Sequence, residues 1–205
     1  MNARAGRAYS STLRAEQAEQ TRARIVQAAV DLLSEGDAGD LSMGDVAARA
    51  GVSIRTVYRN FATRDDLLDG VVGWITEQLA TRVGPQPTTK NDYLDTTREV
   101  IRVLFDMEPL YRALFATHAG RESHRRKNES RHHDVSTTFA SEIRGMDDEA
   151  ARRFGALMHL VSSSNAALFM KDYWGLSADE IGRTLQWAMV TFAEAARDPK
   201  RRKEL

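Results

Sequence analysis

Along most of the chain, apolar residues recur with the period of a helix. Ile25, Ala28, Ala29, Leu32 and Leu33 fall at i, i+3, i+4, i+7 and i+8 and predict a first helix over 17–35. EGDAGD then breaks it, and in SMGDVAARA the residues Val46, Ala47 and Ala50 share an inner face. Leu68, Val71, Val72, Ile75 and Leu79 mark a helix opened by Thr63, with Asp66 at the capping-box position. GPQPTT (84–89) holds two prolines and a glycine and reads as a linker. Beyond it, Leu94, Thr97, Ile101, Leu104 and Phe105 predict a helix, and Pro109 starts a short one through about Thr117. A polar helix follows over 121–143, then a long apolar one over 148–173 containing Phe154, Leu157, Met158 and Val161. The last helix follows Ser177, which with Glu180 makes a second capping box, and buries Ile181, Leu185, Ala188 and Phe192. No stretch alternates every second residue, so the pattern predicts an all-α fold.

One short stretch, GVSIRTVYRNF (51–61), joins this pattern to chemistry. At about 100° per residue, Ile54, Val57 and Phe61 fall in one sector, Arg55, Thr56, Arg59 and Asn60 fall opposite, and Tyr58 lies on the border. Ser53 is placed to cap the helix, and Gly51 sits at the corner where a left-handed backbone is least costly. Helix, glycine corner and a second helix with a hydrogen-bonding outer face describe a helix-turn-helix, whose second helix enters the DNA major groove. Arg55 and Arg59 suit guanine edges or phosphates, Thr56 a thymine methyl or a phosphate, and Tyr58 and Arg64 the backbone phosphates.

Composition narrows the remaining options. Lysine and arginine number 29, aspartate and glutamate 29, so bulk charge predicts no partner and DNA binding must come from local placement. Residues 1–64 carry nine arginines against seven acidic residues. Without cysteine there is no disulfide framework, thiol nucleophile or thiolate metal site. The start lacks the apolar core of a secretory signal and no apolar run reaches membrane-spanning length, so a cytoplasmic protein without membrane contact is expected. No nucleophile–base spacing, phosphate-cradling glycine loop or paired-carboxylate setting suggests an enzyme or a cofactor. RHHD (131–134) and His124 raise a metal site, but adjacent histidines on a helix diverge by about 100°, so His132 and His133 form a solvated face and no metal is expected.

Residues 22–72 resemble the DNA-binding domain of the tetracycline-repressor (TetR) family of bacterial transcriptional regulators. The resemblance is carried by Ile25 and Ala29, by Val46 and Ala47, by Gly51-Val52-Ser53, by Thr56, Tyr58 and Phe61, and by Arg64 and Leu67. It implies a helix-turn-helix DNA-binding domain over 17–64; the basic arm over 1–16 before it, with Arg4, Arg7 and Arg14, could enter a minor groove but is expected to be a flexible terminus. It also implies an effector-binding and dimerisation domain over 65–205. Ser42, Ser53, Arg55, Thr56, Tyr58, Arg59, Asn60 and Arg64 fall at the positions expected to meet DNA. Met43 and Gly44 depart from the threonine or arginine contacts of some members, and Arg64 replaces the more usual lysine.

A homodimer on a palindromic operator is implied as well, because two half-sites need two recognition helices. SSSNAA (162–167) lays small residues along the apolar helix, and Ile181, Leu185, Ala188 and Phe192 form a stripe suited to a partner. Candidate lining residues for a small-molecule effector are Phe105, Tyr111, Phe115, Met158, Asn165, Phe169, Tyr173 and Trp187, with His118 and His159 as polar contacts. The expected function is a dimeric repressor released by an effector. The alternative is a DNA-bound architectural or interaction protein whose C-terminal helices bind a protein. The tail ARDPKRRKEL is expected to fray, like the leading arm.

Overall fold

The computed structural model describes residues 3–36, 41–85, 87–118, 120–123, 125–126, 135 and 137–204, with side chains described outside 3–14 and 203–204. Among these residues there is helix and no strand. The helices are α1 (Ala3–Glu35), α2 (Met43–Ala50), α3 (Ile54–Asn60), α4 (Arg64–Val83), α5 (Lys90–Asp106), α6 (Glu108–Ala116), α7 (Asp148–Val161), α8 (Ser164–Trp174) and α9 (Ala178–Arg197), with a short 3-10 turn at Arg201–Glu204. They fall into two compact units, Met1–Ile75 with Pro109–Ser123, and Thr76–Glu108 with His124–Leu205.

In the first unit α1 packs on α2 and α2 on α3. The core is built from Ile25, Ala29, Leu33, Val46, Val57, Phe61, Leu67, Leu68 and Val71, all essentially withdrawn from water. This unit reaches past the boundary expected at Arg64, because Leu67 through Ile75 on α4 bury their apolar face. Gly70 permits a close approach there: a Cβ on it would stand 2.9 Å from the Phe61 ring and 3.3 Å from a Val26 methyl. α1 begins at Ala3 and not near residue 17. The segment expected to be a flexible arm is rich in alanine and arginine, has no proline, and propagates the helix backwards.

In the second unit α9 packs along α5 and also meets α7 and α8. Gly182 makes the crossing close, since a Cβ would come within 3.0 Å of the Arg98 side chain. The core holds Leu94, Val135, Phe139, Phe154, Met158, Met189, Ala193 and Ala196, with the Phe139 ring edge-on to both Tyr93 and Phe154 at centroid distances of 5.6 and 6.0 Å. Glu142 is buried among these groups. Its carboxylate meets Lys90 at 3.1 Å and Arg197 at 2.7 Å, tying the start of α5 to the end of α9.

Three expectations for this unit are corrected. The single helix over 148–173 is two helices: Ser162 ends α7, and Ser163 caps α8 by accepting from the Ala166 amide, because serines compete for backbone groups better than they continue a helix. The stripe meant for a partner is partly core, since Ile181 and Leu185 are buried under α5 while Ala188 and Phe192 are half-buried. The tail is anchored: Arg202 donates to the carbonyls of Ala196 and Arg144, each at 3.0 Å. Much of the expected polar helix over 121–143 lies outside the described residues, as do His124, His132 and His133. At its end 139–142 form turns, and Val135 and Phe139 belong to the core.

Candidate functional site

The helix-turn-helix begins at Ser42. Its hydroxyl accepts from the Asp45 amide and donates to the Asp45 carboxylate, which caps α2 and occupies both sides of the oxygen. α2 ends at Gly51 with φ 64° and ψ 40°, a left-handed corner, and the amides of Gly51 and Val52 satisfy the carbonyls of Ala48 and Ala47. Ser53 then caps α3 by accepting from the Thr56 amide at 3.1 Å, and its hydroxyl lies 2.8 Å from that of Thr56. Only Val57 and the capping Phe61 anchor α3 deeply.

The solvent face of α3 is rotated from the expected one. Ile54 and Tyr58 are each 50% exposed, and Arg55 and Arg59 are exposed beside them. These four residues form two parallel i, i+4 rows, one apolar and aromatic, the other of guanidiniums. Thr56 and Asn60 are half-buried instead, and the Asn60 amide nitrogen turns back onto the Thr56 carbonyl at 2.8 Å. Ile54, expected in the core, lies outside because Val57 and Phe61 already fill the contact and the first turn of so short a helix overhangs it.

Two arginines of α1 hold this arrangement from behind. Arg22 donates to the Asn60 carbonyl at 2.7 Å and stacks 4.0 Å over the Phe61 ring. Arg24 donates to the Ala50 carbonyl at 2.6 Å. Two residues apart on α1, they thus cap the C-terminal ends of both helices of the motif, where cations also meet the negative end of the helix dipole. Sequence reasoning missed them; the available signal was a pair of arginines immediately before the buried stripe.

Arg64 is the first residue of α4 and is half-buried. The helix end beside it is less inviting to phosphate than expected. Thr63 and Asp66 satisfy each other's amides at 2.9 and 3.0 Å, and Asp65 and Asp66 place two carboxylates in that turn.

The ten candidate ligand contacts are not brought together. Tyr111 is buried, Phe115 half-buried and His118 exposed in the first unit, where the Tyr111 and Phe115 rings lie 5.5 Å apart. In the second unit Met158 is fully buried in the core, His159 is half-buried, and Phe105 is half-buried beneath the Lys171 ammonium, 5.0 Å from its ring centroid. Asn165, Phe169, Tyr173 and Trp187 are exposed, Tyr173 to 75% and Trp187 to 70%. The split between α7 and α8 and the packing of α9 on α5 turn these side chains outward. Phe169, Tyr173 and Trp187, with Leu160 and Trp174, are large apolar groups in contact with water on α7, α8 and α9.

A cavity of about 190 Å³ does lie in the second unit, elsewhere. Its wall is the C-terminal half of α4, the linker prolines Pro85 and Pro87, the α5 face from Tyr93 to Ile101, Val135 and Ser162. None of the ten candidates lines it. Its composition had a sequence signal in the threonines and valines of α5, but the sequence did not show that the linker folds over them.

Residues 25–71 match the family described as "Bacterial regulatory proteins, tetR family". An HTH-type transcriptional regulator of Saccharopolyspora erythraea is 32% identical over 97 residues, 47% of this chain and 41% of that protein. An HTH-type transcriptional repressor of Mycobacterium tuberculosis is 38% identical over 65 residues, 32% of each chain. The chain thus spans about two fifths or less of the length of these curated relatives. A TetR-family regulator from Syntrophomonas wolfei shares the fold with a TM-score of 0.67 at 13% identity, covering 86% of this chain and 96% of that one. NalD of Pseudomonas aeruginosa, the secondary repressor of the MexAB-OprM multidrug efflux pump, does so with a TM-score of 0.58 at 22% identity, over 86% and 96%. Residues 25–71 thus form a helix-turn-helix domain of the tetR family of bacterial regulatory proteins.

Proposed function

We propose that the protein is a homodimeric, sequence-specific DNA-binding transcriptional regulator, a repressor released from a palindromic operator by a small-molecule effector. The observation that carries the DNA reading is the outer face of α3: Arg55 and Arg59 extend from it in one row, Ile54 and Tyr58 in the next. Such a face suits a major groove, with guanidiniums for guanine edges or phosphates and an apolar row for thymine methyls. Arg64, Ser42, Ser53 and Thr56 serve as backbone contacts at the rim, and Asn60 serves the helix end more than the groove.

The exposed Leu160, Phe169, Tyr173, Trp174 and Trp187 support the dimer, because apolar groups of this size on one chain call for a covering partner. Two copies would present two α3 helices to successive major grooves roughly 34–36 Å apart. An effector bound in the second unit acts by its differential affinity for the arrangement that no longer fits that spacing. The same exposed aromatics also favour a second reading, an architectural DNA-binding protein whose C-terminal helices hold a different protein. The mass of the purified chain in solution separates the two.

Gel-shift titration on a duplex selected by the purified protein, and on a scrambled one, tests the recognition face. Arg55→Ala should weaken binding to the selected duplex by roughly tenfold or more while leaving the scrambled duplex nearly unchanged, whereas Arg64→Ala should weaken both alike. Equal losses on both duplexes for Arg55→Ala would remove its base-reading role.

A further inference from the structure

We propose that the cavity between α4, the linker and α5 binds a small, neutral, largely apolar molecule that carries a hydrogen-bond donor, of the phenol class, and discriminates against anions and against acceptor-only analogues. The inference rests on the effector reading above and supplies the place and the chemistry of the ligand.

Size comes first. An engineered cavity of about 150 Å³ holds benzene, so a cavity of about 190 Å³ admits one substituted ring. Charge comes second. Among the described residues of the wall, none carries an acidic, basic or imidazole side chain: Leu79, Ala80, Val83, Val100, Ile101 and Val135 supply its apolar part. A carboxylate or ammonium entering it would shed water and find no counter-ion.

Hydrogen-bond polarity comes third and is the most selective. The polar side chains of the wall are hydroxyls, and those of Tyr93, Thr96, Thr97 and Ser162 point their protons at partners inside the protein. Thr97 Oγ1 donates to the Tyr93 carbonyl at 2.8 Å, and Thr96 Oγ1 donates to the Asp92 carbonyl at 2.8 Å. Tyr93 Oη donates to Ser162 Oγ at 2.8 Å, and Ser162 Oγ in turn reaches the His159 carbonyl at 3.3 Å. What the Thr96, Thr97 and Ser162 oxygens still offer is a lone pair. A ligand with an O–H or N–H can use it without disturbing anything. A ligand that only accepts must turn a hydroxyl away from its present partner, so one bond is exchanged for another and little is gained.

Three probes of matched shape separate these terms: 4-methylphenol, 4-methylanisole and 4-methylbenzoate, each titrated calorimetrically into the full chain. The expected order is 4-methylphenol tighter than 4-methylanisole by about tenfold, the worth of one net hydrogen bond, with no heat from 4-methylbenzoate. Val100→Phe, which fills the cavity, should abolish binding. Thr97→Val, which keeps the shape but removes one lone-pair donor atom, should narrow the gap between phenol and anisole. Equal affinity for phenol and anisole, preference for the benzoate, binding that survives Val100→Phe, or no binding of any probe each overturns the proposal. A parallel gel shift with the same probes reports on the effector reading alone. Phenol binding that leaves the DNA complex intact would overturn release by an effector while leaving the cavity's chemistry standing.

Discussion

Arg22 offers the sharpest test of how the recognition helix is held. Its guanidinium makes a 2.7 Å bond to the last carbonyl of α3 and lies 4.0 Å over the Phe61 ring. Arg22→Met keeps much of the side-chain length and the hydrophobic stem while deleting both interactions. A hydrogen bond from a charged donor is worth about 1.5–3 kcal/mol, here at the low end because the group is exposed. A cation over an aromatic face at an exposed site adds about 0.5–1 kcal/mol. The loss is therefore about 2 kcal/mol, and since 1.4 kcal/mol is a factor of ten, local opening of α3 should become roughly thirtyfold more frequent. Amide hydrogen exchange at Val57 and Phe61, whose N–H groups bond the Ser53 and Val57 carbonyls, reads that opening directly. The salt dependence of DNA binding should keep its slope, because the Arg22 guanidinium is turned to the Asn60 carbonyl and the Phe61 ring. Arg55→Met should do the reverse, with unchanged exchange and a changed affinity. If Arg22→Met instead flattened the salt slope and left exchange at Val57 and Phe61 unaltered, Arg22 would be a phosphate contact and the bracing role would be wrong.

Further outcomes follow from packing and charge. Gly70→Ala puts a methyl 2.9 Å from the Phe61 ring, so urea denaturation should show a loss of about 1–3 kcal/mol. Burial would push the Glu142 carboxyl up, but the Ser141 hydroxyl and the Lys90 ammonium outweigh it and hold it below the ordinary value of 4.5. Its stabilising contribution is accordingly complete above about pH 4.5 and lost as the pH falls through the lower folded value. Glu142→Gln should cost about 2 kcal/mol at neutral pH, since the charged partners Lys90 and Arg197 stay partly hydrated. It should also flatten the acid limb of a stability–pH curve; an unchanged limb would show that the carboxylate contributes nothing there. Trp187→Glu should shift the sedimentation mass toward the monomer with helix content unchanged by circular dichroism. An unaltered mass would take Trp187 out of the dimer surface.

How much of this the sequence carried depends on the kind of signal. Capping residues act over three or four positions, so Ser53, Thr63 with Asp66, and Ser177 with Glu180 were legible from spacing alone, as was Gly51 at its corner. The inner stripe of α1 was legible because a long helix repeats its pattern. A helix of seven residues does not, and the facing of α3 was set wrong by part of a turn: Ile54 and Tyr58 look outward while Thr56 and Asn60 look partly inward. What settles it is the burial of Val57 and Phe61, the latter under Arg22 of α1, a contact between residues far apart in the chain. The same reason explains Phe169, Tyr173 and Trp187. Aromatic residues at helical spacing fit either a core or an outer face, and only the packing of α9 on α5 decides which. The serines at 162 and 163 are small residues, yet their stronger property is to compete for backbone hydrogen bonds and end a helix.

The bracing of α2 and α3 from α1 separates two tasks within fewer than fifty residues. Support comes from Arg22, Arg24, Val57 and Phe61, while Ile54, Arg55, Tyr58 and Arg59 face outward from the motif. Those four outward positions can therefore be rewritten freely, by selection or in the laboratory, without eroding the scaffold. New operator preferences lie within reach of a few codon changes.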